Sequence, residues 1–407
     1  MKRMFFFLLL CGVASSSLEA RLTLGSRDSM LWVQDGELVV TQDLVINTGE
    51  VNIGSSATLG YSDGATLTIG TGSLYQDNQL VLTYTADTTL YADVFLAQVL
   101  SCDIAALGAS AESPGAITIS GNGQRIVFAG NNEPQITIGA YTTVTFSGVE
   151  LVNFSPGNFV FSGDGCAVTL DNSSLSISDL AYQYPINYPI TFTGDCFVKG
   201  DNNLFTFGED GSFSVPDSSD NQLIIQNLRL WNFGGSPLSV DGAGTITLCD
   251  CICTLASGWD GWTFAAGHLQ ILGKVTVNGP EEFTYSSPAG LVIQANSSLE
   301  FNNTRFYYQS SAPITGYTVP PISSYIYLNE TQFLVGTSGV TEVKLYAIEL
   351  ASNGLSTLTA NASVDGVWTA LTFGNHVAES HNSILRVETG TLSTTNIVIN
   401  MKDAVVS

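Results

Sequence analysis

Bulky apolar residues alternate with Thr and Ser in short triplets along most of the chain. Ile117-Thr-Ile119, Ile126-Val-Phe128, Ile136-Thr-Ile138, Val144-Thr-Phe146, Phe159-Val-Phe161, Val168-Thr-Leu170 and Leu175-Ser-Ile177 follow one another, mostly at steps of seven to ten residues. Alternation with a period of two puts the bulky members of each triplet on one face and the hydroxyl residues on the other, which is the pattern of a half-buried strand. Clusters such as Gly121-Asn-Gly123, Gly130-Asn-Asn132 and Gly163-Asp-Gly165 separate the triplets and supply turn conformations. No stretch after residue 20 holds a 3.6-residue apolar period for three turns. The pattern predicts an all-β chain.

The triplets recur at long range. Ser120 to Phe154 lies over Lys199 to Phe233 without a gap. Gly121 then meets Gly200, Phe128 meets Phe207, and Asn153-Phe154 meets Asn232-Phe233, all at one constant offset. The same step links Val40, Ile119, Val198 and Val277, and with short deletions it sets Arg305 opposite Arg229. Four to five such units are expected, the outer ones degenerate as terminal repeats commonly are. Nine or ten short strands per unit imply about three coils of ~20–26 residues, each stacked on the next about 4.8 Å away. The expected fold is a right-handed parallel β-helix, or β-solenoid, with ~79-residue internal repeats. A β-propeller with two blades per unit and tandem β-sandwiches are the alternatives, and both call for longer strands. Length alone fits two or three domains. The unbroken repeat, with no Pro-rich or charge-rich linker, predicts one elongated domain over 21–407.

The triplets, the Gly-Asn and Gly-Asp turns, Asn122, Asn131, Asn202 and Asn303 at turn positions, and the Thr-rich outer faces resemble the right-handed β-helices of the pectin-lyase-like superfamily. They are similar, too, to the passenger regions of bacterial surface adhesins. This resemblance implies either a recognition surface or a polysaccharide-active lyase or glycoside hydrolase. The hydrolases that resemble polygalacturonase carry Asn-x-Asp, Asp-Asp, Gly-His-Gly and Arg-x-Lys. The chain has none of them, Gly267-His268-Leu269 being the nearest.

Residues 1–20 read as a signal peptide. Lys2 and Arg3 precede an apolar run from Met4 to Val13, and Leu18-Glu-Ala20 offers a cleavage site before Arg21. The run is about half of what a spanning helix needs, and no later segment is long and apolar enough to span a membrane. The chain is therefore expected to be secreted or held at the cell surface, with the periplasm as a further destination. Its formal net charge is −24. Removal of residues 1–20 takes away two of the 12 basic and one of the 36 acidic residues. Nucleic acid and anionic lipid require a basic footprint and are excluded as partners.

No cofactor and no metal ligand set is expected. His376 and His381 lack a third ligand. There is no Gly-x-Ser-x-Gly elbow, and the adjacent pair Glu281-Glu282 would point to opposite faces of a strand. No catalytic residue is assigned. Of the cysteines after residue 20, Cys249, Cys251 and Cys253 fall at steps of two, on one face of a strand, as small core residues or as partners in disulfides. Six Asn-x-Ser/Thr sequons, including Asn302-Asn-Thr304 and Asn329-Glu-Thr331, bear on glycosylation only in a eukaryotic source. Aromatic residues at breaks in the repeat are the binding candidates, because exposed rings stack on sugar faces and anchor protein interfaces. They are Tyr182, Tyr184 and Tyr188 in a Tyr/Pro loop, and Trp259, Asp260 and Trp262 in a Trp-containing turn. The expected activity is recognition of a glycan or protein surface rather than catalysis.

Overall fold

The computed structural model describes residues 7–10, 16–18, 22–40, 43–61, 66–69, 73–76, 79–90, 93–233, 237–258, 260–319, 322–337, 340, 342–360, 363–364, 367–374, 383–401 and 404–406. They form a nearly all-β chain whose strands stack in parallel as a β-solenoid, the predicted architecture. Two compact units are distinguished, Met1–Tyr184 and Pro185–Ser407. Among the described residues no helix is long and apolar enough to cross a membrane.

In the first unit three walls repeat. Gly115–Ser120 pairs with Thr142–Ser147, which pairs with Ala167–Asp171. Arg125–Val127 pairs with Glu150–Phe154, and that with Ser174–Ile177. Val99–Ile104, Ile136–Ile138 and Phe159–Phe161 make the remaining wall. Each partner lies a full coil away in sequence, which is why the pairing is parallel rather than a hairpin. Ile117, Val144 and Val168 are register partners in three successive coils, the first step slightly longer than the second. The alternation predicted from the triplets holds: Ile117, Ile119, Val144, Phe146, Val168 and Leu170 are buried, while Thr118, Thr145 and Thr169 between them stay half-exposed. Full burial of each such apolar side chain contributes about 1.5–3 kcal/mol.

In the second unit Leu223, Ile246, Leu269 and Leu291 are consecutive partners at nearly equal steps, one coil apart each time. Trp262–Phe264, Glu282–Tyr285, Arg305–Tyr308, Gln332–Val335 and Leu355–Ala360 stack as another wall. Its inward aromatics form two files. Phe264, Tyr285 and Tyr308 stack at 5.5 and 5.2 Å, and Trp262, Phe283, Phe306 and Phe333 at 4.1, 5.5 and 4.8 Å. Each such contact adds about 0.5–1.5 kcal/mol beyond the area it buries.

The corners follow a rule of their own. At several corners a residue with positive φ turns the chain, and a small polar residue next to it points inward to satisfy a carbonyl left bare by the turn. Asn303 (φ 50), Glu330 (φ 47) and Gly354 (φ 65) occupy one corner. Asn tolerates this region better than most residues, and Gly adopts it without steric penalty. Beside them Thr304 Oγ1 lies 2.7 Å from Gly279 O, Thr331 Oγ1 3.0 Å from Phe301 O, and Ser356 Oγ 3.1 Å from Leu328 O. At another corner Ser324 Oγ donates to Ile293 O at 2.9 Å, and Cys251 Sγ takes the same role toward Ile225 O at 3.3 Å. The sequons Asn302-Asn-Thr304 and Asn329-Glu-Thr331 are thus corners: an Asn at a strand end, a left-handed residue, and a buried hydroxyl.

Two expectations change. The coil, not the long repeat step, is the unit of the lattice. Val198 lies in register with Ile225 and Leu248. Val277, one repeat step further along the chain, lies in register with Cys253 and Phe301, a different column of the same unit. The step matches strand to strand without returning to the same place on the coil. The three clustered cysteines, for their part, do not share one strand face. Asp250 (φ 51) breaks the run into Thr245–Cys249 and Ile252–Thr254, with Cys251 at the corner between them. All three are buried free thiols.

One pair of variants tests the corner rule. Thr304→Val keeps the shape but removes the hydroxyl that meets Gly279 and Asn302, and should cost about 1–3 kcal/mol. Ser352 is fully buried in a column with Leu328 and Phe301, and its hydroxyl has no partner. Ser352→Ala should therefore be neutral or more stable by up to about 1 kcal/mol. Urea unfolding under matched conditions checks both, and a greater loss from Ser352→Ala than from Thr304→Val would contradict the rule.

Candidate functional site

Among the described residues of the first unit, the most exposed aromatic pair stands at the end of a short tether. After Ser174–Ile177 the chain leaves the wall, and Ala181–Gln183 makes a single 3₁₀ turn. Ala181 is fully buried and anchors that turn. Tyr182 and Tyr184 flank Gln183 and remain 49% and 55% exposed, large values for aromatic rings beside an apolar core.

An amide network fixes the turn in place. Asn132 Nδ2 donates to Leu180 O at 2.9 Å and lies 3.1 Å from Gln183 Oε1. Asn132 belongs to the Gly130-Asn-Asn132 loop, where Gly130 (φ 75) supplies the left-handed turn. That loop is held from below by Asn158, whose Nδ2 donates to Asn131 O at 2.7 Å and to Glu133 O at 3.0 Å. Gln135 Nε2 donates to Asn131 Oδ1 at 2.7 Å, and Asn131 Nδ2 to Glu133 Oε2 at 3.3 Å. Asn132 Oδ1 is buried with no partner. The result is a corner in which the turn bearing two exposed phenol rings is tied to an amide-rich loop that also carries the exposed Glu133. Ring faces accept the C–H face of a sugar, while amides and a carboxylate pair with its hydroxyls.

The other predicted residues are dispersed. Tyr188 belongs to the second unit and is half-buried, and desolvation of its hydroxyl raises its pKa above the ordinary tyrosine value. Trp259 lies outside the described residues, as do His376, His381 and the Asn361 sequon. Asp260 is exposed. Trp262 is a correction: it is 1% exposed, stacks on Phe283 at 4.1 Å and meets Phe233 edge-on, so it fills the core and offers no platform to a ligand. Its position as the first residue of the strand Trp262–Phe264 gives the inward alternation Trp262, Phe264 that the turn reading overlooked.

Arg229 and Arg305 are not equivalent either. Arg229 sits between Leu204 and Ile252 in one wall and donates to Asn202 O, while Arg305 lies between Glu282 and Gln332 in another. The two carboxylates of Glu281-Glu282 diverge, one toward Gly258 N and the other toward the Thr284 hydroxyl. Among the described residues no group of His, Cys, Asp and Glu is arranged to hold a metal ion. Burial, with Asp250 alongside, pushes the Cys249 thiol up to about 11, and burial pushes Cys251 up to about 11. Neither is a thiolate at neutral pH.

Comparison of the chain with protein-family models, with curated proteins and with solved structures finds no match.

This placement separates core rings from surface rings by stability. Trp262→Ala should lower stability by about 3–5 kcal/mol, whereas Tyr184→Ala should stay within about 0.5 kcal/mol of the parent; chemical unfolding compares them. Thiol labelling of the native chain at pH 8 should proceed fastest at half-exposed Cys166 among the six described cysteines, with Cys249, Cys251 and Cys253 reacting only on unfolding. Rapid labelling of the Cys249–Cys253 segment would contradict the buried assignment.

Proposed function

We propose that this chain is an exported, non-catalytic recognition protein, in which a β-solenoid presents the Tyr182–Tyr184 corner to a glycan. The observation that carries the reading is the pairing of exposure with fixation: two half-exposed rings on a turn pinned by buried Ala181 and by the Asn132 amide. A ring carried on a fixed backbone turn loses less conformational entropy when a ligand stacks on it than one carried on a free loop. Amides and a carboxylate within the same loop cluster supply hydrogen-bonding groups suited to sugar hydroxyls.

Export rests on residues 1–20, whose basic start, apolar run and small-residue boundary fit a secretory signal. The strongly acidic balance suits a soluble surface that repels nucleic acid and anionic membranes. The resemblance to pectin-lyase-like β-helices and adhesin passengers agrees with a β-solenoid scaffold that carries its specificity in corner loops. It also leaves a polysaccharide-active enzyme as the rival, and a single assay separates the two.

In a glycan-array screen, binding by the full chain is expected to fall about tenfold or more in Tyr182→Ala/Tyr184→Ala. Unchanged binding in that variant, with its β-sheet circular dichroism intact, would overturn the reading of the corner. New reducing ends or unsaturated sugars appearing with the intact chain would favour the enzyme. N-terminal sequencing of the secreted product should begin at Arg21.

A further inference from the structure

The outer surface of the second unit carries a different aromatic cluster, on the strand Tyr325–Asn329 that follows the antiparallel pair Thr318–Val319 and Ile322–Ser323. Four successive strands, Lys274–Asn278, Ser298–Asn302, Tyr325–Asn329 and Glu349–Asn353, stack in unbroken register along their length. The second and fourth residues of each strand face inward. The first, third and fifth face away from the core and make three columns. One holds Lys274, Ser298, Tyr325 and Glu349; the next Thr276, Glu300, Tyr327 and Ala351; the last Asn278, Asn302, Asn329 and Asn353. Thr276, Glu349 and Ala351 are themselves covered, whereas Tyr325 and Tyr327 stay partly exposed.

Tyr325 and Tyr327 are therefore neighbours on one strand, and their rings stack 5.5 Å apart at 14°. Glu300 precedes Tyr327 by one coil and Glu349 follows Tyr325 by one. Each of these carboxylates already has a cation: Lys274 Nζ is 2.8 Å from Glu300 Oε2, and Arg386 Nη1 is 2.8 Å from Glu349 Oε1 and 3.8 Å from Glu388. Burial raises the pKa of the Tyr327 hydroxyl, as do Tyr325, Glu388, Glu349 and Glu300 nearby, so the ring stays a neutral phenol. Beside it the asparagine column is an amide ladder, in which Asn302 Nδ2 donates to Asn278 Oδ1 at 2.8 Å and Asn329 Nδ2 to Asn302 Oδ1 at 2.7 Å.

We infer that this face is a second binding site, and that its ligand is a neutral, linear polysaccharide. The charge arrangement selects that class. An acidic polymer meets a chain of net charge −24 and the carboxylates of this face. A cationic polymer has to displace Lys274 and Arg386 from partners they already hold. A neutral polymer meets neither obstacle, and it finds phenol hydroxyls, the partly exposed Glu300 carboxylate and amides held in a fixed array. Four coils at about 4.8 Å per step give the array a length on the order of 14 Å, enough for more than one sugar ring in line. The site lies wholly within the second unit, and it stands or falls separately from the tyrosine corner of the first.

Affinity electrophoresis of the full chain through gels containing a soluble β-glucan, a xylan or a galactomannan tests the inference, with polygalacturonate as the acidic control. At least one neutral polymer should retard the chain, and the control should not. Tyr325→Ala/Tyr327→Ala should raise the apparent Kd about tenfold, and Tyr182→Ala/Tyr184→Ala should leave a retardation that this pair removes. Should Tyr325→Ala/Tyr327→Ala lose its β-sheet signal, Glu300→Gln replaces it, with an expected weakening of about threefold. No retardation by any of the neutral polymers, equal retardation by polygalacturonate, or unchanged retardation in the folded variant would each overturn the site. A chain that loses retardation only through Tyr182 and Tyr184 would overturn it too, while leaving the corner intact.

Discussion

Stacked parallel coils impose one demand above all: the chain must turn at every corner without leaving a buried carbonyl unpaired. A carbonyl stranded away from water costs about 1–3 kcal/mol, and a solenoid meets the problem at each coil. At several corners of this chain a residue in the left-handed region makes the turn, and a Ser, Thr or Cys beside it turns inward to a bare carbonyl. Asn303-Thr304, Glu330-Thr331 and Asp250-Cys251 are three versions of that one solution. With the corners closed, the walls between them can be as plain as Ile-Thr-Ile, because every inward side chain meets its counterpart one coil away.

This division of labour explains what was legible in the amino-acid sequence. Alternation in Ile117-Thr-Ile119 or Val168-Thr-Leu170 reports the pleat directly, so the all-β class and the parallel coil could be read from it. Phase was harder. Triplets so much alike match one another at many offsets, and the long repeat step joined Val198 to Val277 although they occupy different columns. A single left-handed residue was enough to defeat the cysteine reading, since nothing in Cys249-Asp-Cys-Ile-Cys253 marks Asp250 as the place where the strand ends.

The candidate sites divide in the same way. Tyr182 and Tyr184 stand out as candidates because Pro and Tyr interrupt the rhythm, and an interruption in a regular chain is visible. Trp262 was misplaced by the same logic: it begins a strand directly after a Gly-rich turn, and its neighbour Phe264 was the sign that the ring points inward. Tyr325 and Tyr327 were not named as binding candidates because they obey the alternation in full. Their outward position follows from Ile326 and Leu328 being buried, but the flanking Glu300 and Glu349 come from other coils and are joined to them only by register. A site assembled across coils leaves no local signature.

Both proposed sites use the scaffold as a rigid frame for tyrosine rings, so the most direct measurement is the accessibility of individual tyrosines. Nitration of the full chain by tetranitromethane, with and without a saturating neutral polysaccharide and mapped residue by residue by mass spectrometry, reports this for every ring at once. Protection is predicted at Tyr182 and Tyr184, and at Tyr325 and Tyr327, with Tyr317, 46% exposed and part of neither site, reacting equally in both conditions. Protection confined to Tyr317, or equal nitration of all five with and without the polymer, would contradict it.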